Sequence, residues 1–257
     1  MVEAKGADEA FTIADAKSAG GRREQTWHYP SRAECMMCHS RAATYVLGVS
    51  TAQLNCEFDY PGGRDNQLRT LSHLGLFNIT PANELREAVV AAGLERGLTP
   101  QAAEAVFTKL PRGNQRTTPA QTTIDPGFDL LPWMADPTDE RASLEARARS
   151  YLHVNCAHCH VGAGGGNSQF EIAHWTPTRD AKLLDIAPLH AKFDLREPLL
   201  VARGEPERSV LWHRMTIRGR GQMPPLASSL VDPVGIDVVR RWIAALPRRR
   251  EPTMVEP

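Results

Sequence analysis

Long apolar runs are missing from this chain of 257 residues. None approaches the ~20 residues that a helix needs to cross a bilayer, so no transmembrane helix is expected. An excess of one charge is missing too. Lys and Arg number 30, Asp and Glu 30, and the formal net charge is zero. Nothing in that balance points to nucleic acid or an anionic membrane as partner. Aromatic residues make up only 6%, and no segment is of low complexity. Hydrophobic content of 42% and charged content of 23% are ordinary for a globular protein. Cysteine is scarce, with five in all.

Four of those five cysteines sit in two short segments, Cys35-Met36-Met37-Cys38-His39 and Cys156-Ala157-His158-Cys159-His160. C-x-x-C-H is the attachment sequence for a c-type haem. Two thiols three positions apart lie on one helical turn and reach the two vinyl groups along one side of a porphyrin. The following histidine then turns its imidazole toward the iron. Two haems c, each with iron, are therefore the expected cofactors, held by Cys35 and Cys38 and by Cys156 and Cys159. His39 and His160 are the proximal ligands. A haem also brings its own flat apolar surface, which suits a core with few aromatics. The cysteines could instead form disulfides in an oxidising compartment. A Cys₄ zinc site would also use both pairs, but would leave the two histidines unexplained.

Haem attachment takes place outside the cytoplasm, so a periplasmic or otherwise exported location is expected. Residues Met1 to Gly21 are polar and rich in Ala and Gly, with no leader pattern. A removed leader, or a longer exported precursor, accounts for that.

Along the chain we read residues 1–26 as a flexible lead-in and 27–118 as a first, divergent haem domain. A Pro-rich linker follows over 119–142, then a second haem domain over 143–250. Asn66 to Phe77 reads as a short helix, Thr80-Pro81 and Thr99-Pro100 as helix starts. Leu144, Ala148, Tyr151 and Leu152 form a helical stripe running into Cys156. Gly162 to Gly166 supplies a loop. Gly235 to Leu246 reads as a closing helix with Val238, Val239, Trp242 and Ile243 apolar. The expected fold class is all-α, two cytochrome-c-like domains joined by the Pro-rich connection.

A distal thioether raises the potential of a haem. Met223, in Gln222-Met223-Pro224-Pro225, lies in a stiff loop suited to that task. Met215, in an expected helix from Ser209 to Thr216, reads as packing. The first haem has no such obvious partner, because no Met lies between His39 and Met134. Met134 and His73 are the named candidates. His28, His153, Cys56, a residue of the second domain or an open position stay in view. Cys56 reads as a small buried side chain. Arg203 and Arg208 could meet a propionate or be surface charges, and Arg218 and Arg220 could edge a docking surface.

Helix, C-x-x-C-H, Gly-rich loop, Met-Pro loop and terminal helix over roughly Ser143 to Leu246 resemble a class I cytochrome c. That resemblance implies packing between the helices carrying Tyr151 and Trp242. From Trp27-His28-Tyr29-Pro30-Ser31 onward, the chain resembles bacterial two-haem cytochrome modules found in exported proteins, often after a quinone-dependent sugar-dehydrogenase-like propeller. This implies electron transfer from a dehydrogenase to a downstream redox protein, with no catalytic residue required. The enzyme alternative is a dihaem peroxidase that uses the first haem as its peroxide site. The characteristic segment before the ligand Met of that family is not found here, and the chain is short for it.

Overall fold

The computed structural model describes residues 4–43, 45, 47, 49–76, 82–95, 97–108, 132–166, 168–190 and 192–248. Contacts divide the chain into two units. One joins Met1–Leu47 to Ala135–Pro257; the other is Gly48–Met134.

The first unit opens with a hairpin. Strand β1 (Ala7–Ala14) pairs antiparallel with β2 (Arg22–Tyr29), Ala7 opposite Tyr29 and Ala14 opposite Arg22. At its tip the Asp15 carboxylate accepts from the Lys17 amide at 3.0 Å and the Ser18 hydroxyl at 3.1 Å. Helix α1 (Arg32–Cys38) follows, started by a capping box in which Ser31 and Glu34 exchange hydrogen bonds.

Helix α6 (Leu144–Leu152) continues through a π-helical turn, His153–Ala157. With α7 (Val210–Thr216) and α8 (Pro233–Ala245) it encloses the core of this unit. Ala148 and Leu152 on α6 and Val238, Val239, Trp242 and Ile243 on α8 are buried, as their periodicity predicts. Met215 is buried on α7, also as expected. Helices α6 and α8 meet closely because α8 carries glycine where Tyr151 lies. A Cβ on Gly235 would fall inside the Tyr151 ring. The Trp242 indole donates to Glu145 Oε2 at 3.2 Å, so its polar atom is satisfied within the same pairing.

The second unit contains α2 (Thr51–Leu54), a hairpin of β3 (Glu57–Tyr60) with β4 (Gly63–Asn66), α3 (Gln67–His73), α4 (Ala82–Glu95) and α5 (Pro100–Thr108). Asn66 caps α3, accepting from the Arg69 amide. Thr99 caps α5, accepting from the Ala102 amide at 3.2 Å. Helices α4 and α5 pack through Gly93, whose added Cβ would stand 2.7 Å from the Cβ of the fully buried Ala103. Most of the Pro-rich stretch, residues 109–131, lies outside the described residues.

The all-α expectation is overturned. Among the described residues, eight helices are accompanied by two small antiparallel sheets, so the fold is mixed. The strands escaped notice because their side chains are mostly exposed: nothing on β1 is buried. Period-2 alternation signals a strand only where one face is buried. Among the described residues, no helix is long and apolar enough to cross a membrane.

Candidate metal and cofactor centre

Both pentapeptides fold by the same local device. The His39 amide donates to the Cys35 carbonyl at 2.9 Å, and the His160 amide donates to the Cys156 carbonyl at 2.9 Å. This bond closes one helical turn over the whole motif. It sets the two cysteines one turn apart and places the histidine just past them. All five cysteines are thiols, with no disulfide.

The surroundings of the two turns differ. Helix α1 buries none of its residues; Met36 is 53% exposed. His39 is exposed, and its Nδ1 is tied to the Tyr45 carbonyl at 2.6 Å. The bond puts the ring hydrogen on Nδ1 and leaves Nε2 as the lone-pair nitrogen, the tautomer a metal-ligating histidine uses. His160, by contrast, is buried and stacks on Phe170, centroids 4.1 Å apart. Burial pushes its imidazole down to about 4, so it is neutral at neutral pH and its lone pair is available. The buried Nδ1 of His160 makes no hydrogen bond. Gly166 lies against that edge: a Cβ there would stand 2.8 Å from Nδ1. Burial also pushes the Cys156 and Cys159 thiols up to about 12.

At the second pentapeptide a buried imidazole with an orphaned nitrogen and two unlinked thiols fit the donor set of a c-type haem; at the first, two unlinked thiols and the exposed His39, its hydrogen on Nδ1, fit it.

The loop around Met223 is held by side chains to which residue order assigns no such task, Arg218 among them, which reads in the sequence as a docking edge. Gln222 accepts from the Gly219 amide at 2.6 Å and donates to the carbonyls of Pro224 and Ser228. Arg214 donates to the Gly221 carbonyl at 2.8 Å, and the Met223 amide to the Arg214 carbonyl at 2.9 Å. Arg218 reaches the Met215, Ile217 and Leu230 carbonyls, so its head group is committed to the loop. Met223 is half-buried.

The other named candidates fall differently. Met134 is half-buried and His73 is exposed at the end of α3; both belong to the second unit, whereas His39 belongs to the first. His28 donates from Nδ1 to Asp8 at 2.6 Å and from Nε2 to Glu34 at 3.1 Å. Asp8 first and Glu34 second raise its pKa, and with both nitrogens engaged it has no lone pair for iron. The same contact pins the hairpin to α1. Glu34 is held down to about 2, chiefly by the Ser31 amide and then by His28. His153 accepts from the His174 amide at 3.1 Å through Nδ1, which leaves its hydrogen on Nε2. Cys56 donates to Gln67 Oε1 at 3.7 Å. Arg203 pairs with Asp185 at 3.2 Å and Arg208 with Glu205 at 2.9 Å.

The two pentapeptides lie together. Cys38 Sγ and Cys159 Sγ are 3.4 Å apart. With a ring nitrogen of His158 they form a group of donor atoms all within 4.8 Å of one another.

No protein-family model, curated protein or solved structure matches this chain.

Proposed function

We propose that this chain is a two-haem c-type cytochrome that relays single electrons in an exported compartment, from a donor such as a dehydrogenase to a downstream redox protein. The observation that carries this reading is the shared turn: histidine amide to first-cysteine carbonyl at 2.9 Å in both pentapeptides. The same closure sets each pair of thiols and the following histidine in the register that attachment requires.

In this reading Cys35 and Cys38 hold one haem, and Cys156 and Cys159 the other. His39 and His160 are proximal ligands. When bound, the group supplies a one-electron ferric/ferrous couple. The residues of the chain do the rest. The Tyr45 carbonyl orients His39. Phe170 and Gly166 fix the plane of His160 and keep water from its edge. Gln222, Arg214 and Arg218 stiffen the loop that offers the Met223 thioether, which favours the reduced state. No proton transfer or nucleophile is required.

The test is a sample purified from a host that exports the chain and attaches haem. The expected mass carries two haem additions, and the visible bands survive acid-acetone extraction. A colourless product without added mass overturns the reading. Zinc bound to the cysteine pairs in that product would install the metal-site alternative in its place.

A further inference from the structure

The two pentapeptides touch at several independent points. Cys159 Sγ, 3.4 Å from Cys38 Sγ, also lies 3.3 Å from the Met37 carbonyl oxygen, to which it donates. Gly165, in the loop after His160, presses on that same carbonyl; a Cβ there would collide with it. A ring nitrogen of His158, between the cysteines of the second motif, lies within 4.8 Å of both sulfurs. Residues 121 positions apart are thus brought into one seam within one unit.

Two roles suit such a seam. A soft metal would take Cys38, Cys159 and His158 as an S₂N set. Yet Cys38 and Cys159 are each the second cysteine of an attachment motif, and thioether formation uses both sulfurs. We propose that Cys38 and Cys159 attach the two porphyrins to a shared seam, so that the pair works as one coupled redox unit and not as two independent carriers. This rests on the cytochrome reading.

The physical argument is short. Each sulfur bonds directly to the edge of its porphyrin. Sulfurs in contact bring the two porphyrin edges close together. The charge at one iron then acts on the other through a partly buried, low-dielectric path, so reducing one disfavours reducing the second. The glycines make the seam possible. Gly165 has no side chain to hold the first motif away, and Gly166 leaves the His160 edge clear. Gly165 is therefore a positioning residue for the pair.

The experiment uses the haem-loaded protein and two single-haem variants, C35A/C38A and C156A/C159A. Mass spectrometry first counts haems. Circular dichroism in the Soret region and a redox titration are then recorded for all three. The expected wild-type spectrum is a two-signed couplet that is lost in both variants, with each remaining haem shifted in potential from its wild-type value. A wild-type spectrum and titration equal to the sum of the variants overturns the pairing. A measurement on wild type alone guards against variants that do not fold. The paramagnetic resonance of the fully oxidised protein should integrate to fewer than two independent spins and regain intensity per oxidised haem on half-reduction. Two full, independent spins overturn the proposal. A wild-type mass without two haem additions overturns the cytochrome reading, and the pair with it; two additions with additive spectra overturn only the pair.

Discussion

The same five-residue recipe is set in two unlike places. Cys35 to His39 ride on a helix that buries nothing, capped by Ser31 and braced from outside by a hairpin through His28. Cys156 to His160 continue a helix whose neighbours form the core, with Ala157 and His160 buried. The comparison separates what the motif does from what its setting does. The histidine-to-cysteine bond is the same in both, although the first closes an α-helix and the second follows a π-helical turn. Burial, ligand stiffness and access to water are not the same. If each pentapeptide holds a haem as proposed, the buried second site would disfavour the extra positive charge of ferric iron and hold its electron more tightly than the first.

Removing Trp242 breaks the comparison most strongly. Trp242→Ala, at a side chain 2% exposed and hydrogen-bonded to Glu145, should cost about 3–5 kcal/mol in urea denaturation. Met36→Ala on the exposed α1 should change stability by no more than about 0.5 kcal/mol. Equal losses would show that the first motif is as deeply supported as the second.

In the proposed two-haem protein, Met223→Ala asks whether the stiff loop serves only one of the two haems. The near-infrared band of Met-ligated ferric iron should vanish for one haem, with a lower potential for that haem alone. An unchanged spectrum would remove Met223 from the ligand set.

A smaller effect separates the settings by pH. Burial lowers the His153 pKa from 6.5 to about 4. Between those values the unfolded chain takes up a proton that the folded chain does not. Stability from this residue is therefore intact above pH 6.5 and lost as the pH falls toward 4. The loss is about 1–2 kcal/mol once partial solvent access is allowed for. Denaturation of wild type and His153→Phe at pH 7 and pH 5 should give a steeper fall for wild type. Parallel falls would mean that His153 titrates normally.

The smallest test is at the cap. Ser31→Ala removes one half of the capping box and should cost about 1 kcal/mol. It should also release Glu34 from its depressed value of about 2, because the Ser31 amide is the main cause of that depression and depends on the same geometry. No change in either would mean that the hairpin alone holds α1.

Much of the helical framework was legible from residue order. The apolar stripes of α6 and α8 have the 3.6-residue period, and Asn66 and Thr99 stand where helix caps stand. The hairpin of β1 and β2 was not legible. Its strands are bordered by water on most positions, so no alternation of apolar residues announced them. Trp175 is apolar yet 60% exposed, with its ring edge-on to His153, which no spacing pattern announces. The anchors of the Met223 loop were hidden for another reason. Arginine and glutamine are ordinary surface residues in a sequence, and only their reach to particular carbonyls reveals a structural task.

Residue order alone determined that each cysteine pair shares a helical turn with a histidine just beyond it. That relation depends on a spacing of three and four residues, which local backbone geometry fulfils without help from the rest of the chain. The meeting of Cys38 with Cys159 was decided only by the tertiary structure. They are 121 positions apart, and no local propensity acts over that separation. Burial of the α6 and α8 stripes carries the second pentapeptide to its place, and the seam at Gly165 and Met37 lets the first one reach it.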